Sequence, residues 1–417
     1  MNTPVSATPG AATLLALEEA YCARNYSPLP VVLARGAGVH AWDTAGKRYL
    51  DMMSAYSALS FGHGHPRLVA ALTDQAQRLA LTSRAFHSDQ LGPFLERLCE
   101  VTGQEMALPM NTGAEAVETA LKAARKWAHT VKGVPDGQAQ IIACEGNFHG
   151  RTTTIVGFSS EPGYKAGFGP FAGGFAQVPY GDAQALARAI TPHTAAFLVE
   201  PIQGEAGIIV PPEGYLAECA RICKERNVLL IADEVQTGLG RAGRLLACEY
   251  DDVKPDGLIL GKALGGGLLP VSAYLSSRAL MSVFQPGDHG STFGGNPLGA
   301  RVGLESIELL MEERLWERAA ELGDHLQRRL RALQSPLVKD VRGRGLLIGM
   351  EIDPAFATAR DVCERLLDKG ILTKDTHDTV VRFAPPLIVE KADLDWAVEG
   401  IAAVLADIVE LRMRKRA

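Results

Sequence analysis

The chain has 417 residues, 47% hydrophobic and 22% charged, a composition that belongs to a folded globular protein and excludes a disordered one. Its 42 basic and 48 acidic side chains leave a net charge of −6, which argues against a nucleic-acid binder. Seven scattered cysteines match free thiols in a reducing compartment better than a disulfide framework, and no apolar run approaches the roughly 20 residues that span a bilayer.

Residues 1 to about 12 are small and polar and read as disordered, with neither a secretory nor a transit pattern, so a cytoplasmic location is expected. A short helix, Thr13 to Arg24, precedes Tyr26-Ser27-Pro28-Leu29-Pro30, where the prolines enforce an extended path. Val31 to Leu50 alternates around glycines and predicts small hairpins. His63-Gly64-His65 lacks a third ligand in the sequence nearby and reads as a loop rather than a metal site, and a helix is expected from Pro66 to about Leu81.

The clearest helix opens after Asn111-Thr112-Gly113. Val117, Ala120, Leu121, Ala124 and Ala128 recur at helical spacing, and the charges suit the dipole. Its N-terminus, with small residues and free N–H groups, is a candidate phosphate site. From there to about residue 295, short β-prone runs (Ile141 to Cys144, Ala196 to Glu200, Val228 to Ala232, Leu258 to Leu260) alternate with helical stretches such as Pro212 to Arg226. That alternation predicts an α/β fold with a mostly parallel, doubly wound sheet. A long helix is expected from Asn296 to about Leu333, then strands near Leu346 to Ile352 and Val380 to Phe383, and a final helix from Lys391 that ends in a solvated basic run. Cys219 and Cys223 share a helix face, but no second ligand pair follows, so no metal is expected. The expected organisation is an N-terminal segment, 1–60, a large domain, 61–295, and a C-terminal segment, 296–417, that forms a small domain with the first.

Two stretches carry the chemistry. The run Val228 to Ala232 ends in Asp233-Glu234-Val235-Gln236-Thr237-Gly238, which puts a carboxylate at the carboxyl end of a buried strand, where α/β sheets hold ligands. The run Leu258 to Leu260 delivers Lys262 into the glycine-rich Gly261-Lys262-Ala263-Leu264-Gly265-Gly266-Gly267. Lysines are mostly solvated, but apolar and small flanks would desolvate this amine, lower its pKa and make it a nucleophile toward a carbonyl. A Schiff-base lysine with a carboxylate partner is what pyridoxal phosphate requires. Gly238-Leu239-Gly240-Arg241-Ala242-Gly243 matches a dinucleotide fingerprint, but five residues separate it from the strand, where that fingerprint needs a direct turn.

With these motifs, over nearly the whole chain, the sequence resembles the class III aminotransferases, pyridoxal-phosphate enzymes of fold type I. Tyr26-Ser27-Pro28-Leu29-Pro30, Ser54-Ala55-Tyr56-Ser57-Ala58, Phe168-Gly169-Pro170-Phe171, Ser291-Thr292-Phe293-Gly294-Gly295-Asn296-Pro297 and Arg382-Phe383-Ala384-Pro385-Pro386 resemble its ornithine-type branch. The resemblance implies that Lys262 binds pyridoxal 5'-phosphate and Asp233 pairs with the pyridine nitrogen. Gln236 would approach the ring oxygen, Val235 and Phe148 would sandwich the ring, and Thr112, Gly113 and Ala114 would hold the phosphate, joined by Thr292 of a neighbouring subunit in a homodimer or an assembly of dimers. It further implies that Arg151 binds a carboxylate, Tyr26 meets the α-amino group of ornithine and Tyr56 shapes the pocket. Glu205 and Arg382 would form a switch, closed while ornithine presents its δ-amine and open when 2-oxoglutarate enters. The expected reaction gives glutamate 5-semialdehyde and glutamate, with N-acetylornithine or another ω-amino acid as the alternative donor. The chain departs at His149, where ornithine-type members usually carry tryptophan and acetylornithine-type members often histidine.

Overall fold

In the computed structural model, which describes residues 10–416, three sheets are organised around one central layer. The expectation of disorder over 1 to about 12 falls largely outside the described residues; within them the first helix, Ala11–Tyr21, begins at once. The central sheet has seven strands. Five are parallel neighbours in the order Gly257–Leu260, Leu229–Asp233, Thr194–Val199, Gln140–Cys144 and Phe175–Val178. Ser272–Ser276 adds on antiparallel to the first of these and carries Met106–Met110 on its far side. The three middle strands are fully or almost fully buried and read as continuous apolar runs because helices cover both faces.

The N-terminal strands Leu33–Ala37, His40–Asp43 and Arg48–Asp51 form a meander, whose last strand pairs in parallel with Ile371–Leu372. A third sheet runs through Val338–Arg344, Leu347–Ile352, Val380–Phe383 and Lys374–Thr376. The two ends of the chain thus meet in one sheet. Among the described residues no helix is long and apolar enough to cross a membrane, and no cluster of His, Cys, Asp and Glu could hold a metal.

One element departs from expectation. The long helix after Asn296 is two helices, Pro297–Glu312 and Leu315–Arg331. Arg314 breaks it at φ +48, with neither glycine nor proline to announce the break. The first helix packs on Pro66–Arg78 and Leu91–Thr102, while the second lies on Val338–Arg344. A straight continuation could not reach both.

Candidate active site

Adjacent parallel strands end side by side, and their carboxyl ends build the site. Val199 pairs with Ala232, so the next residues, Glu200 and Asp233, emerge together; Asp233 in turn pairs with Ile259, two residues before Gly261 and Lys262. Gly113 and Ala114 enter from the helix Gly113–Trp127, whose start is closed by a capping box between Thr112 and Glu115 and tied to the sheet by the Ser272 hydroxyl, which donates to the Thr112 carbonyl at 2.7 Å. The result is a cavity of about 200 Å³ walled by Gly113, Ala114, Phe148, His149, Glu200, Glu205, Asp233, Val235, Gln236 and Lys262, among others.

Lys262 stands at φ +43, a conformation that costs a residue other than glycine roughly 1–3 kcal/mol and persists where the surroundings enforce it. Burial lowers the pKa of its amine, Glu205 opposing, so that the neutral form is favoured relative to a solvated lysine. Asp233 accepts two hydrogen bonds: from the Val235 N–H at 3.1 Å and from His149 Nδ1–H at 2.7 Å. Burial alone would lower the His149 pKa, but the bond and the charge of Asp233 outweigh it and raise it. His149 therefore acts on Asp233, with its ring against Phe158, and its Nε2 has no partner. Glu200, buried on the cavity wall, accepts from the Phe148 N–H at 2.9 Å; burial pushes its carboxyl up to about 7.

Glu205 and Arg382 form a bidentate pair at 2.7 and 3.0 Å, the guanidinium only 1% exposed. The Arg382 guanidinium carbon lies 5.1 Å from the centre of the Tyr56 ring, within cation–π range. Gln236 donates through Nε2 to Glu205 at 3.2 Å, leaving its buried Oε1 without a partner.

Expected residues that do not line the cavity are Thr112, next to Gly113; Arg382, behind its partner Glu205; Tyr56, facing Arg382; and Tyr26 and Arg151. Tyr26 is 75% exposed and outside the cavity wall, because Arg360 ties the proline-stiffened segment to the surface through the carbonyls of Ser27 and Pro28. Arg151 is exposed at the cavity rim, its guanidinium stacked 3.8 Å over Tyr164 and 5.4 Å from the Phe148 ring centre. Thr292, which the resemblance assigns to a neighbouring subunit's site, is exposed and away from this chain's own cavity. Glu200 and the partnership of His149 with Asp233 escaped the sequence reading; a carboxylate directly after the buried run Thr194–Val199 was the available signal. The dinucleotide-like glycines are followed by the single-turn Ala247–Asp251 and not by an α-helix, so that fingerprint is not formed.

The residues present fit pyridoxal phosphate on their own chemistry. A helix N-terminus offers N–H groups to a dianion, and a buried carboxylate held by a histidine is available to a pyridinium. An amine of lowered pKa stands in the same cavity as an unpartnered amide oxygen.

Comparisons with known proteins agree. The model of the family "Aminotransferase class-III" matches residues 21–405. The ornithine aminotransferase of Bacillus subtilis (strain 168) is 59% identical over 385 residues, covering 92% of this chain and 95% of that protein. A solved ornithine aminotransferase from Toxoplasma gondii, described with partial occupancy of PLP at its active site, superposes with a TM-score of 0.95 at 44% identity over 97% of this chain and 96% of that one. An acetylornithine aminotransferase from Elizabethkingia anophelis gives 0.87 at 45% identity, covering 96% and 100%. The chain belongs to the class-III aminotransferases, the pyridoxal-phosphate-dependent transaminases.

Proposed function

We propose that this aminotransferase moves the δ-amino group of L-ornithine to 2-oxoglutarate, giving glutamate 5-semialdehyde and glutamate, as a cytoplasmic homodimer in which Thr292 of each chain completes the neighbour's phosphate site. The observation that carries the proposal is the closed pair of Glu205 and Arg382, with Glu205 on the wall that also holds Lys262. A cavity that takes a δ-amine in one half-reaction and an α-keto dicarboxylate in the other needs a guanidinium that can be masked and unmasked. A bidentate arginine–carboxylate pair is such a device.

When bound, pyridoxal phosphate supplies an aldehyde for the amine and a protonated ring that accepts the electron pair released at the substrate carbon. Gly113 and Ala114 would hold its phosphate, with Thr112 beside them, Val235 and Phe148 would confine its ring, and Asp233, oriented by His149, would keep a negative charge at its nitrogen. Gln236 offers its amide to the ring oxygen. Lys262 would hold the cofactor's aldehyde at rest, and its Nζ, displaced by the incoming amine, would carry the proton from the substrate carbon to the cofactor's aldehyde carbon on the far side of the nitrogen. While Glu205 covers Arg382, the α-carboxylate of ornithine is refused there and is left to Arg151 at the rim, with Tyr56 as a wall and Tyr26 nearby. When Glu205 lets go, Arg382 takes the α-carboxylate of the keto acid. The segments 1–60 and 296–417 are proposed to move as one small domain against 61–295, a division supported by the pairing of Arg48–Asp51 with Ile371–Leu372.

N-acetylornithine is the rival donor, favoured by the histidine at 149. That histidine, however, spends its only bonded nitrogen on Asp233. Transfer from ornithine labelled with ¹⁵N at the δ position and, in a separate reaction, at the α position tests the proposal: label is expected in glutamate from the δ position. Label arriving only from the α position, or turnover with N-acetylornithine alone, would overturn it.

A further inference from the structure

Four consecutive residues, Ser54, Ala55, Tyr56 and Ser57, stand at φ +50, +46, +58 and +75, and none is glycine. L-residues visit this region singly, because Cβ crowds the following carbonyl, so a left-handed run of four persists only where its surroundings impose it. Those surroundings are specific. Asp51 Oδ1 accepts from the N–H groups of Met53 at 2.9 Å and Ser54 at 2.8 Å, which fixes the entry to the run. Its other oxygen accepts from His63 Nε2–H at 2.9 Å. His63 is itself immobilised: its N–H and C=O exchange bonds of 2.8 and 2.9 Å with Gly38, and its ring fills the space left by Gly36, where an added Cβ would lie 2.6 Å away. Beyond the run, the Leu59 N–H donates to the Ser54 carbonyl at 3.0 Å, and the Ala384 N–H donates to the Met52 carbonyl at 2.7 Å. The second bond ties the run to the strand Val380–Phe383 that carries Arg382.

One side chain of the run, Tyr56, meets the carboxylate pair: its ring faces the Arg382 guanidinium. A right-handed or extended path through the same residues would turn that ring away, since the direction of Cβ follows from φ and ψ.

We propose that the Asp51–His63 pair is the positioning device of the carboxylate gate: it locks the left-handed turn that sets Tyr56 against Arg382, so that admission of a keto acid depends on a histidine outside the cavity. This rests on Glu205–Arg382 being that gate. The His63-Gly64-His65 motif, which joins no cluster of three metal-ligating side chains among the described residues, thereby acquires a role through a carboxylate 12 residues upstream.

The test uses the holoenzyme with His63→Ala, His63→Gln, Ala55→Gly and His63→Ala/Ala55→Gly, alongside Arg382→Ala as reference. His63→Ala is expected to raise KM for 2-oxoglutarate about 10-fold while kcat changes less than about 2-fold, a split that loss of folding alone does not produce. Glutamine, which keeps an N–H donor, is expected to recover most of the effect. Glycine at 55 accepts positive φ without strain, so the double variant is expected to lose less than the product of the two single losses. His63→Ala that leaves KM unchanged while Arg382→Ala raises it would overturn the positioning role and leave the gate standing. Equal falls in kcat and kcat/KM in both half-reactions, with no rescue by glutamine or glycine, would also overturn it. If Arg382→Ala itself leaves KM for the keto acid unchanged, the gate fails, and the positioning role with it.

Discussion

Replacing Glu205 with glutamine removes one charge from the Arg382 pair and keeps the shape of the wall. Burial alone would push the Glu205 carboxyl up, but the charge and hydrogen bonds of Arg382 outweigh it and hold the group down to about 2, from an ordinary 4.5. Side-chain exposure is 22% for Glu205 and 1% for Arg382, so water screens the pair weakly. The depression corresponds to about 3 kcal/mol of preference for the charged carboxylate, and breaking a buried pair on one side costs about 3–5 kcal/mol. Because the folded pKa is the lower one, this stabilisation is fully present above about pH 4.5 and is lost as pH falls toward 2. Glu205→Gln is therefore expected to be about 3 kcal/mol less stable to urea at pH 7, with the deficit shrinking below pH 4.5. Its kinetic effect follows from the same geometry. A permanently uncovered guanidinium captures the α-carboxylate of ornithine, so kcat/KM for δ-transfer falls about 10–100-fold, the rate equivalent of about 1.4–2.7 kcal/mol. The half-reaction with glutamate, which needs Arg382 open, becomes faster. Rapid-mixing spectra of the two half-reactions, run separately, give the ratio. An unchanged ratio of δ-transfer from ornithine to α-transfer from glutamate would refute the masking argument, whatever happened to stability.

Other consequences can be checked beside it. Lys262→Ala is expected to abolish turnover, and retention of wild-type kcat would remove the lysine from the chemistry. Gly204→Ala places a Cβ 1.6 Å from Gln236 Oε1, so Gln236 must leave its bond to Glu205; cofactor affinity, followed by fluorescence titration, is expected to weaken about 10-fold. The Glu200 carboxyl, raised by burial to about 7, contributes stability that is full below its unfolded value near 4.5 and is lost as pH rises through 7. Glu200→Gln should flatten this pH dependence in denaturation between pH 5 and 8, and an unaltered profile would show that Glu200 does not titrate there.

Much of the site was legible because its chemistry is written locally. Asp233 ends an apolar run, Lys262 follows another, and Asn111-Thr112-Gly113 precedes an apolar period of helical spacing, so strand ends and a helix start could be located from neighbours alone. What escaped depends on distance along the chain. His149 meets Asp233 across 84 positions, and nothing near either residue announces the contact. His63 finds its carboxylate on a strand that the glycine spacing described only as a hairpin. Tyr26 and Arg151 were expected inside and lie outside or at the rim, because a motif match carries residue identity but not the path of an extended segment pinned by Arg360. The break at Arg314 failed for a different reason: the apolar period continues through it, and only the left-handed φ of one arginine reverses the chain.

The central claim is that Lys262, Asp233 and the gate serve δ-transamination of ornithine. Its most direct test is the visible spectrum of the enzyme loaded with pyridoxal phosphate, mixed with L-ornithine and no keto acid, against N-acetylornithine at equal concentration. The visible band is expected to be lost faster with ornithine and to return on adding 2-oxoglutarate. Loss with N-acetylornithine alone, or no visible band on the loaded enzyme, would contradict it.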